Sequence, residues 1–422
     1  MIDERKKHMK TFKTADILIP QNIDLSKWSV VACDQYTSEP DYWNDVKNIV
    51  ADAPSALNIT FPEIYLENGD ADERIKNINS TMEKYINDGI FKEYPNSFIY
   101  VERDLGDGRI RKGLVGAVDL EDYDFNKGSV SYVRATEGTV LERIPPRVKI
   151  RQNAELEMPH IMILIDDSDK TVIEPLTNQT GSFEKVYDFD LMKESGHLTG
   201  YKLSDSAVSD VYGALDVLEQ KAKTIKNMPV FAVGDGNHSL ATAKTCWENI
   251  KKNLSDSEKE NHPARFALAE LVNIHDSSLE FEPIHRVMFG CDAQNVIDEF
   301  LKYYDGASKS DNGGQHIKYM YGDIEGDLYV ANAPSQLAVG TLQKFLDDYS
   351  EKNNLKIDYI HGEDVVKSLS KENGNIGFIL PCMEKSDLFV SVAKDGALPR
   401  KTFSMGEAKE KRFYCECKKI TK

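Results

Sequence analysis

No stretch of the sequence approaches the roughly 18 uninterrupted apolar residues of a membrane-spanning helix. Met1 to Thr14 is dense in charge where a signal peptide would carry an apolar run. Both absences point to a cytoplasmic protein with no membrane partner. Cysteine is scarce: Cys33, Cys246, Cys291, Cys382, Cys415 and Cys417 are the only six in 422 residues, and their spacing is not that of a disulfide framework, so reduced thiols are expected. Cys415 and Cys417 form a C-x-C on one face of an expected strand, Arg412 to Lys418, but no second ligand pair accompanies them and no metal site is assigned. Cations are also short. Fifty-two Lys plus Arg face 70 Asp plus Glu, a net charge of −18. Only short basic clusters interrupt the acidity, so phosphate backbones are repelled and nucleic acid is excluded as a partner.

What the sequence does contain is enough large apolar surface for a true core, with 19 Tyr, 17 Phe and 41% hydrophobic residues, so a disordered polyelectrolyte is excluded. No internal repeat or low-complexity tract is present. Ile17 to Pro20 and Trp28 to Cys33 read as two short strands or strand-like passages. The second runs into a polar loop containing Asp34, Glu39 and Asp41. Ile75, Ile78, Met82 and Ile86 mark an amphipathic helix from Asp70 that ends at Asp88-Gly89. Strand signals follow at 97–101, 110–119 and 130–134. The continuous apolar run Pro159 to Asp166 has the pattern of a central strand buried on both faces. A helix is expected over 206–226, then a strand at 228–233, a glycine turn, and a helix with the stripe Leu240, Ala243, Trp247 and Ile250. Asn253 to Asn261 reads as a polar linker, Ala264 to Ile274 as a second helix-like run, and Val296 to Tyr304 as a helix. The pattern is α+β with mixed β-sheets. A core over residues 1–290 and a smaller C-terminal α+β part over 291–422 are expected.

The strand, turn and helix around Gly234-Asp-Gly-Asn-His-Ser239 is the most informative stretch. Gly234 and Gly236 let the backbone turn sharply beside the free N–H groups of a helix start, which attract anions. Asn237 and Ser239 are good capping residues, so a plainly capped helix is the simple alternative. The sharper reading is a phosphate cradle with Asp235 and His238 facing the reacting atoms. It is neither a Walker loop nor a Rossmann fingerprint. A second constellation places Arg134, Arg143, Arg147 and Arg151 within eighteen residues of an acidic chain, with Glu137 among them; arginine forks match phosphate or carboxylate. His285 and Arg286 end a strand-like passage, and Arg400 with Lys401 form a cation pair. Asp34 and Glu39 are candidates for a general base. Mg²⁺ would need only one or two carboxylates beside phosphate oxygens.

These stretches together resemble the bacterial and archaeal family catalogued as domain of unknown function 1015. The likeness rests on Trp28 to Tyr36, Arg134 to Arg151, Gly234 to Ser239, Pro283 to Arg286, Tyr359-Ile-His-Gly362 and Leu398-Pro-Arg-Lys-Thr-Phe403. Many members carry Asp-Gly-His-His-Arg at the turn, which looks like the nucleotide-binding motif of the ParB/sulfiredoxin-like superfamily and its free-serine kinases. Asp235, Gly236 and His238 match that motif, while Asn237 and Ser239 replace His and Arg. Arg147, Arg286 or Arg400 would then have to supply the missing guanidinium. The resemblance implies a ParB/sulfiredoxin-like core that moves phosphate between ATP or ADP and a small hydroxylated metabolite, free serine first among them, in serine metabolism.

In that scheme Asp235, His238 and Asp34 or Glu39 are catalytic. Gly234, Gly236, Asn237, Ser239, Arg400 and Lys401 hold the nucleotide, and Arg134, Glu137, Arg147, His285 and Arg286 hold the substrate. A phosphoserine or phosphomonoester phosphatase, and a non-catalytic nucleotide-binding regulator, are the alternatives. The number of copies is open, with a homodimer as one option.

Overall fold

The computed structural model describes residues 10–126, 128–158 and 160–422. Met1 to Met9 and Pro159, on which parts of the charged amino-terminal reading and of the central-strand reading rest, lie outside the described residues. The chain is α+β with mixed sheets. It divides into two compact units, Met1–Ala135 with Thr139–Leu279 and Glu407–Lys422, and Thr136–Gly138 with Glu280–Gly406. The division therefore falls at Leu279 rather than 290, and the last sixteen residues return to the first unit, because their partners are there.

The first unit contains strands β1 (Ala15–Pro20), β2 (Phe91–Ser97), β3 (Ile99–Asp104), β4 (Ile110–Asp119), β5 (Val133–Ala135), β6 (Met162–Ile165), β7 (Glu184–Asp190), β8 (His197–Lys202), β9 (Phe231–Asp235) and β10 (Phe266–Asn273). Its helices are α1 (Pro40–Val50), α2 (Ala71–Asn87), α3 (Ile144–Arg151), α4 (Asp205–Lys223) and α5 (Asn237–Ile250). The described residues build a ten-stranded sheet in the order β7-β8-β3-β4-β10-β6-β9-β5, with Tyr123–Asp124 beyond β5 and Phe12–Lys13 against β4. β6 runs parallel to β10 and antiparallel to β9, so it is central, as its apolar run requires.

Both faces of this sheet are buried. Ile99, Val101, Val115, Ala117 and Leu268 point into one core, which α2 completes with Ile75, Ile78 and Met82. Tyr100, Leu114, Val118, Ala267 and Leu271 point into the other, closed by α4 and α5 through Val211, Leu215, Leu240 and Trp247. Double burial explains one reversal. Ala264 to Ile274 does not form a helix; Phe266–Asn273 is strand β10, buried at every residue. A strand covered on both faces shows no polar alternation, and its Ala and Leu content suits a helix until the sheet claims it. The linker reading of 253–261 also changes, since Asp256–Asn261 is a short helix with a Ser255–Glu258 capping box.

The passage Trp28 to Cys33 begins in a short helix, Leu25–Trp28, and then runs extended against the C-terminal tail rather than within a sheet. Val31 bridges Phe413, Leu18 bridges Cys417, and the Trp28 indole donates to the Cys415 carbonyl at 3.0 Å. The expected strand Arg412 to Lys418 is thus a series of bridges, with both cysteines fully buried. Buried charge fixes it in place. The Arg412 guanidinium meets Glu270 of β10 at 2.6 Å and Glu416 at 2.8 Å, and Tyr187 donates to Glu416 at 2.5 Å. Glu270 lies across Gly113 of β4, where an added Cβ would stand 2.1 Å from its Oε1, so only glycine fits there.

The second unit has strands β11 (Phe281–Phe289), β12 (Gln315–Tyr321), β13 (Ile324–Val330), β14 (Lys356–His361) and β15 (Asn375–Ile379), with helices α6 (Ala293–Tyr303), α7 (Ala338–Asn353), α8 (Glu363–Ser370) and α9 (Asp387–Asp395). Its sheet is ordered β13-β12-β15-β11-β14, with Ala307–Ser308 on the β13 edge. Val296, Ile297 and Phe300 of α6 and Leu342, Phe345 and Leu346 of α7 pack into one core with Ile376 and Phe378. No helix among the described residues is long and apolar enough to cross a membrane.

Removing one side of a buried ion pair leaves the other charge uncompensated, at a cost of about 3–5 kcal/mol. Arg412→Ala is therefore expected to lower the unfolding free energy of the first unit by that order in a urea titration, whereas truncating the exposed Lys419 should change it by less than about 0.5 kcal/mol.

Candidate functional site

β9 carries the chain out of the sheet and α5 carries it back. Gly234 sits where the pairing of β9 with β6 shifts register, a bulge that turns the strand end. Gly236 follows in the left-handed region at φ 78°, and a Cβ there would stand 3.0 Å from the Ile161 Cα. Asp235 folds back so that its Oδ1 accepts the Gly236 N–H at 2.8 Å, while its Oδ2 faces the Lys411 ammonium at 3.3 Å. Among the described residues no side chain caps the first turn of α5. The simple alternative, capping by Asn237 and Ser239, is therefore not what forms here. Among the described residues the buried Asn237 Oδ1 has no hydrogen-bond partner, and Ser239 Oγ turns to His160 Nε2 at 3.3 Å.

His160 is the hub. It lies just before β6, buried, with Nδ1 2.9 Å from the Tyr414 hydroxyl and Nε2 3.4 Å from Asp34 Oδ2. The Tyr414 oxygen also accepts the Cys33 N–H at 3.1 Å, which ties the Asp34 loop to the tail. Burial opposes the His160 charge, but Asp34 at its edge, helped by Asp235 and Glu63, raises its pKa above the ordinary value. Burial likewise works against the Asp34 carboxylate, yet His160, a hydrogen bond from Gln35 and the Lys411 charge together hold its carboxyl below the usual range. Each thus favours the charged form of the other.

His238 is in the opposite state. Its Nε2 accepts the Val140 N–H at 3.3 Å. Burial, then the Arg147 and Arg143 charges, push its pKa down to about 4. It is therefore a neutral imidazole at pH 7. An uncharged ring brings no cation to a bound phosphate.

α3 packs against α5 and brings Arg147 to the same place. Arg147 pairs with Glu63 and donates to the Arg143 carbonyl at 2.7 Å. Beside these groups lies a cavity of about 150 Å³, walled by His160, Ser239, Tyr414 and Arg147 and by apolar side chains of α2 and α3. The site thus unites Asp34, Arg147, Asp235, Gly236, Asn237, His238 and Ser239 from three separate chain segments.

Other expected members stand elsewhere. Arg134 is buried on β5, where it gives its Nε to the Ser131 carbonyl at 3.0 Å and another nitrogen to the Asn227 carbonyl, beyond the opposite end of β9 from Asp235. A guanidinium committed to backbone carbonyls there does not reach the turn. Glu39 is exposed at the start of α1, where its charge acts on Tyr36 and Tyr42. Glu137, His285, Arg286, Arg400 and Lys401 all belong to the second unit. There His285 is buried and accepts the Leu380 N–H at 3.2 Å. Arg286, also buried, donates to Gln343 at 2.8 Å and stacks on Tyr359, which Arg400 meets at 2.5 Å from the surface. Sequence reasoning missed His160, Tyr414, Lys411 and Glu63. A histidine opening a fully apolar run was the available signal for the first; the others are set by long-range packing.

Comparison with known proteins gives one family. The model described as Protein of unknown function (DUF1015) matches residues 17–349. No curated protein matches the chain. Among solved structures, a free serine kinase variant in complex with AMP aligns at 11% identity over 75% of this chain and 95% of its own, with a TM-score of 0.39. SbnI with a C-terminal truncation from Staphylococcus aureus aligns at 10% identity over 69% and 82%, with a TM-score of 0.35. A conserved hypothetical protein from Pyrococcus furiosus gives 10% over 67% and 90%, at 0.34. Likenesses at this level carry nothing about activity.

The two histidines predict opposite pH slopes. His160, with its pKa raised in the fold, contributes stability that is complete below the unfolded value of about 6.5 and is lost as pH rises through the folded value. His238, depressed to about 4, contributes stability present above about 6.5 and lost as pH falls toward 4. Melting curves from about pH 4 to 9 should show the alkaline loss shrink in His160→Asn and the acid loss shrink in His238→Asn; unchanged slopes in both variants would contradict the assigned charge states.

Proposed function

This chain belongs to that family, DUF1015, and from that premise we propose that its first unit transfers a phosphoryl group between a nucleotide, ATP or ADP, and the hydroxyl of a small metabolite in the cytoplasm. Free serine, the acceptor implied by the motif's resemblance, is the first to assay. The observation that carries the reading is the uncapped first turn of α5, entered through Gly236 in the left-handed region and flanked by Asp235 and Lys411. Backbone N–H groups at such a start favour phosphate oxygens. Phosphoryl transfer asks the protein mainly to position groups and neutralise charge.

The α5 amides and Lys411 receive the phosphates, and Arg147 lies where a transferring group would need a cation. Asp34 orients the acceptor hydroxyl and takes its proton as the oxygen–phosphorus bond forms and the bond to the nucleotide's leaving phosphate breaks; ATP leaves as ADP, or ADP as AMP. His160 positions Asp34 and holds it ionised, with Tyr414 fixing the ring from the other side. No group of three or more metal-ligating side chains occurs among the described residues. The single carboxylate of Asp235 suits Mg²⁺ that arrives on a nucleotide and draws its other ligands from phosphate and water. When bound, that ion supplies further charge neutralisation at the phosphates.

Incubation with Mg²⁺, ATP or ADP, and a panel of hydroxylated metabolites beginning with serine should yield the phosphorylated acceptor and the shortened nucleotide by mass spectrometry. Asp235→Ala should reduce turnover by about 100-fold or more, the scale of losing one preorganised electrostatic group. Turnover of Asp235→Ala at the wild-type rate would remove the assignment. Nucleotide binding without product would favour a regulator, and phosphate release from phosphoserine without nucleotide a phosphatase.

A further inference from the structure

The Tyr414 hydroxyl has more neighbours than protons. It stands 2.9 Å from His160 Nδ1 and accepts the Cys33 N–H at 3.1 Å, and the Cys33 side chain hydrogen-bonds with it as well. A phenol carries one O–H and two lone pairs. The Cys33 N–H takes one lone pair, so the single proton and the other lone pair are left for His160 and the Cys33 sulfur. Tyr414 and Cys33 themselves stay protonated, because burial above all pushes the pKa of each up.

The far side of the imidazole fixes which arrangement goes with which charge. Nε2 faces Asp34 Oδ2 at 3.4 Å and Ser239 Oγ at 3.3 Å. The Asp34 carboxyl, held below the usual range, is ionised, and an ionised carboxylate only accepts. Nε2 therefore carries a hydrogen in either state of the ring. In the neutral ring Nδ1 is the bare nitrogen, and the Tyr414 O–H donates to it. When the ring takes a second proton from solvent, Nδ1–H donates to the Tyr414 oxygen instead, and the phenol has to turn its O–H away. Among the described residues the acceptor beside it is then the Cys33 sulfur. A thiol sulfur accepts weakly, but a buried hydroxyl with no acceptor costs more.

We propose that the Tyr414 O–H is a two-position donor, to His160 Nδ1 when the ring is neutral and to Cys33 Sγ when it is charged, which makes Cys33 a positioning residue for His160 and Asp34. The cysteine completes the hydrogen bonds of the charged ring while its backbone anchors the residue next to Asp34. Its bearing on catalysis rests on reading Asp34 as the base. Asp34, Asp235 at the end of β9 and Glu63 all favour the charged ring. Arg147 and Arg151 of α3 and Glu157 line the same cavity wall, and Lys411 of the tail is paired to Asp235. A change confined to position 33 leaves every one of these groups in place.

Nitrogen-15 resonances of the histidine rings in the full-length protein, followed from about pH 4 to 10, test this without nucleotide or turnover; the His160 signals are those missing from His160→Asn. Above its midpoint His160 should show the hydrogen on Nε2 and a bare Nδ1. Cys33→Ala should lower the proton affinity of His160 by about threefold or more, the scale of one hydrogen bond lost from the charged state. Cys33→Ser keeps an acceptor and should restore most of it. In a Tyr414→Phe background Cys33→Ala should have no further effect. The wild-type tautomer decides the matter where the variants do not fold. A hydrogen on Nδ1 of the neutral ring, or an unchanged affinity in folded Cys33→Ala, would overturn the proposal and leave the phosphoryl-transfer assay to stand alone. Failure of that assay removes the catalytic consequence and keeps the two positions of the hydroxyl.

Discussion

Arg412 is a fully charged group buried among apolar side chains, and the first unit is arranged around satisfying it. Glu270 reaches it from the middle of the sheet and Glu416 from four residues on, so the ion pair sews the C-terminal tail to β10. Taking these charges out of water is costly unless every partner is present. That requirement propagates. Gly113 must remain glycine because Glu270 crosses it, and Tyr187 must bring its hydroxyl to Glu416. The tail, once held, pairs with the passage around Val31 and with Leu18.

The candidate site inherits this arrangement. Lys411 and Tyr414 flank Arg412 in the tail, and each delivers one contact to the site: the ammonium to Asp235 and the hydroxyl to His160. Displacing the tail would remove both at once, although neither residue lies near the Gly234 to Ser239 turn in sequence. The two histidines then differ because of what faces them. His160 looks at carboxylates, which favour its charged form, while His238 looks at the arginines of α3 and is held neutral. One turn thus has a histidine whose charged form Asp34 favours on one side and an uncharged imidazole on the other, which leaves the α5 amides, Lys411 and Arg147 as the groups proposed to meet anions.

Local patterns carried well where chemistry is local. The helix over Ala71–Asn87 stops at Gly89 in the left-handed region as its sequence suggests, and the strand, glycine turn and helix from Phe231 to Ile250 lie where their residues indicate. Asp34, Arg147 and Asp235 were legible as site candidates because a polar loop, an arginine cluster and a glycine turn are each visible in one stretch. What failed depended on distant partners. β10 looked helical because its covering comes from two cores assembled from far away. Arg134 looked like a ligand holder because its carbonyl partners at Ser131 and Asn227 leave no mark in composition. Tyr414 and Lys411 were invisible as site residues because only the buried ion pairs of the tail place them there.

The open first turn of α5 is where this proposal has anionic substrate charge received. Its most direct test is a nucleotide titration of the isotopically labelled protein, followed by the backbone amide resonances of Asn237, His238 and Ser239. These amides are expected to show the largest saturable shifts as ATP or ADP is added, with the Lys411 side chain moving alongside them. Saturation with nucleotide while those three amides stay in place would contradict it.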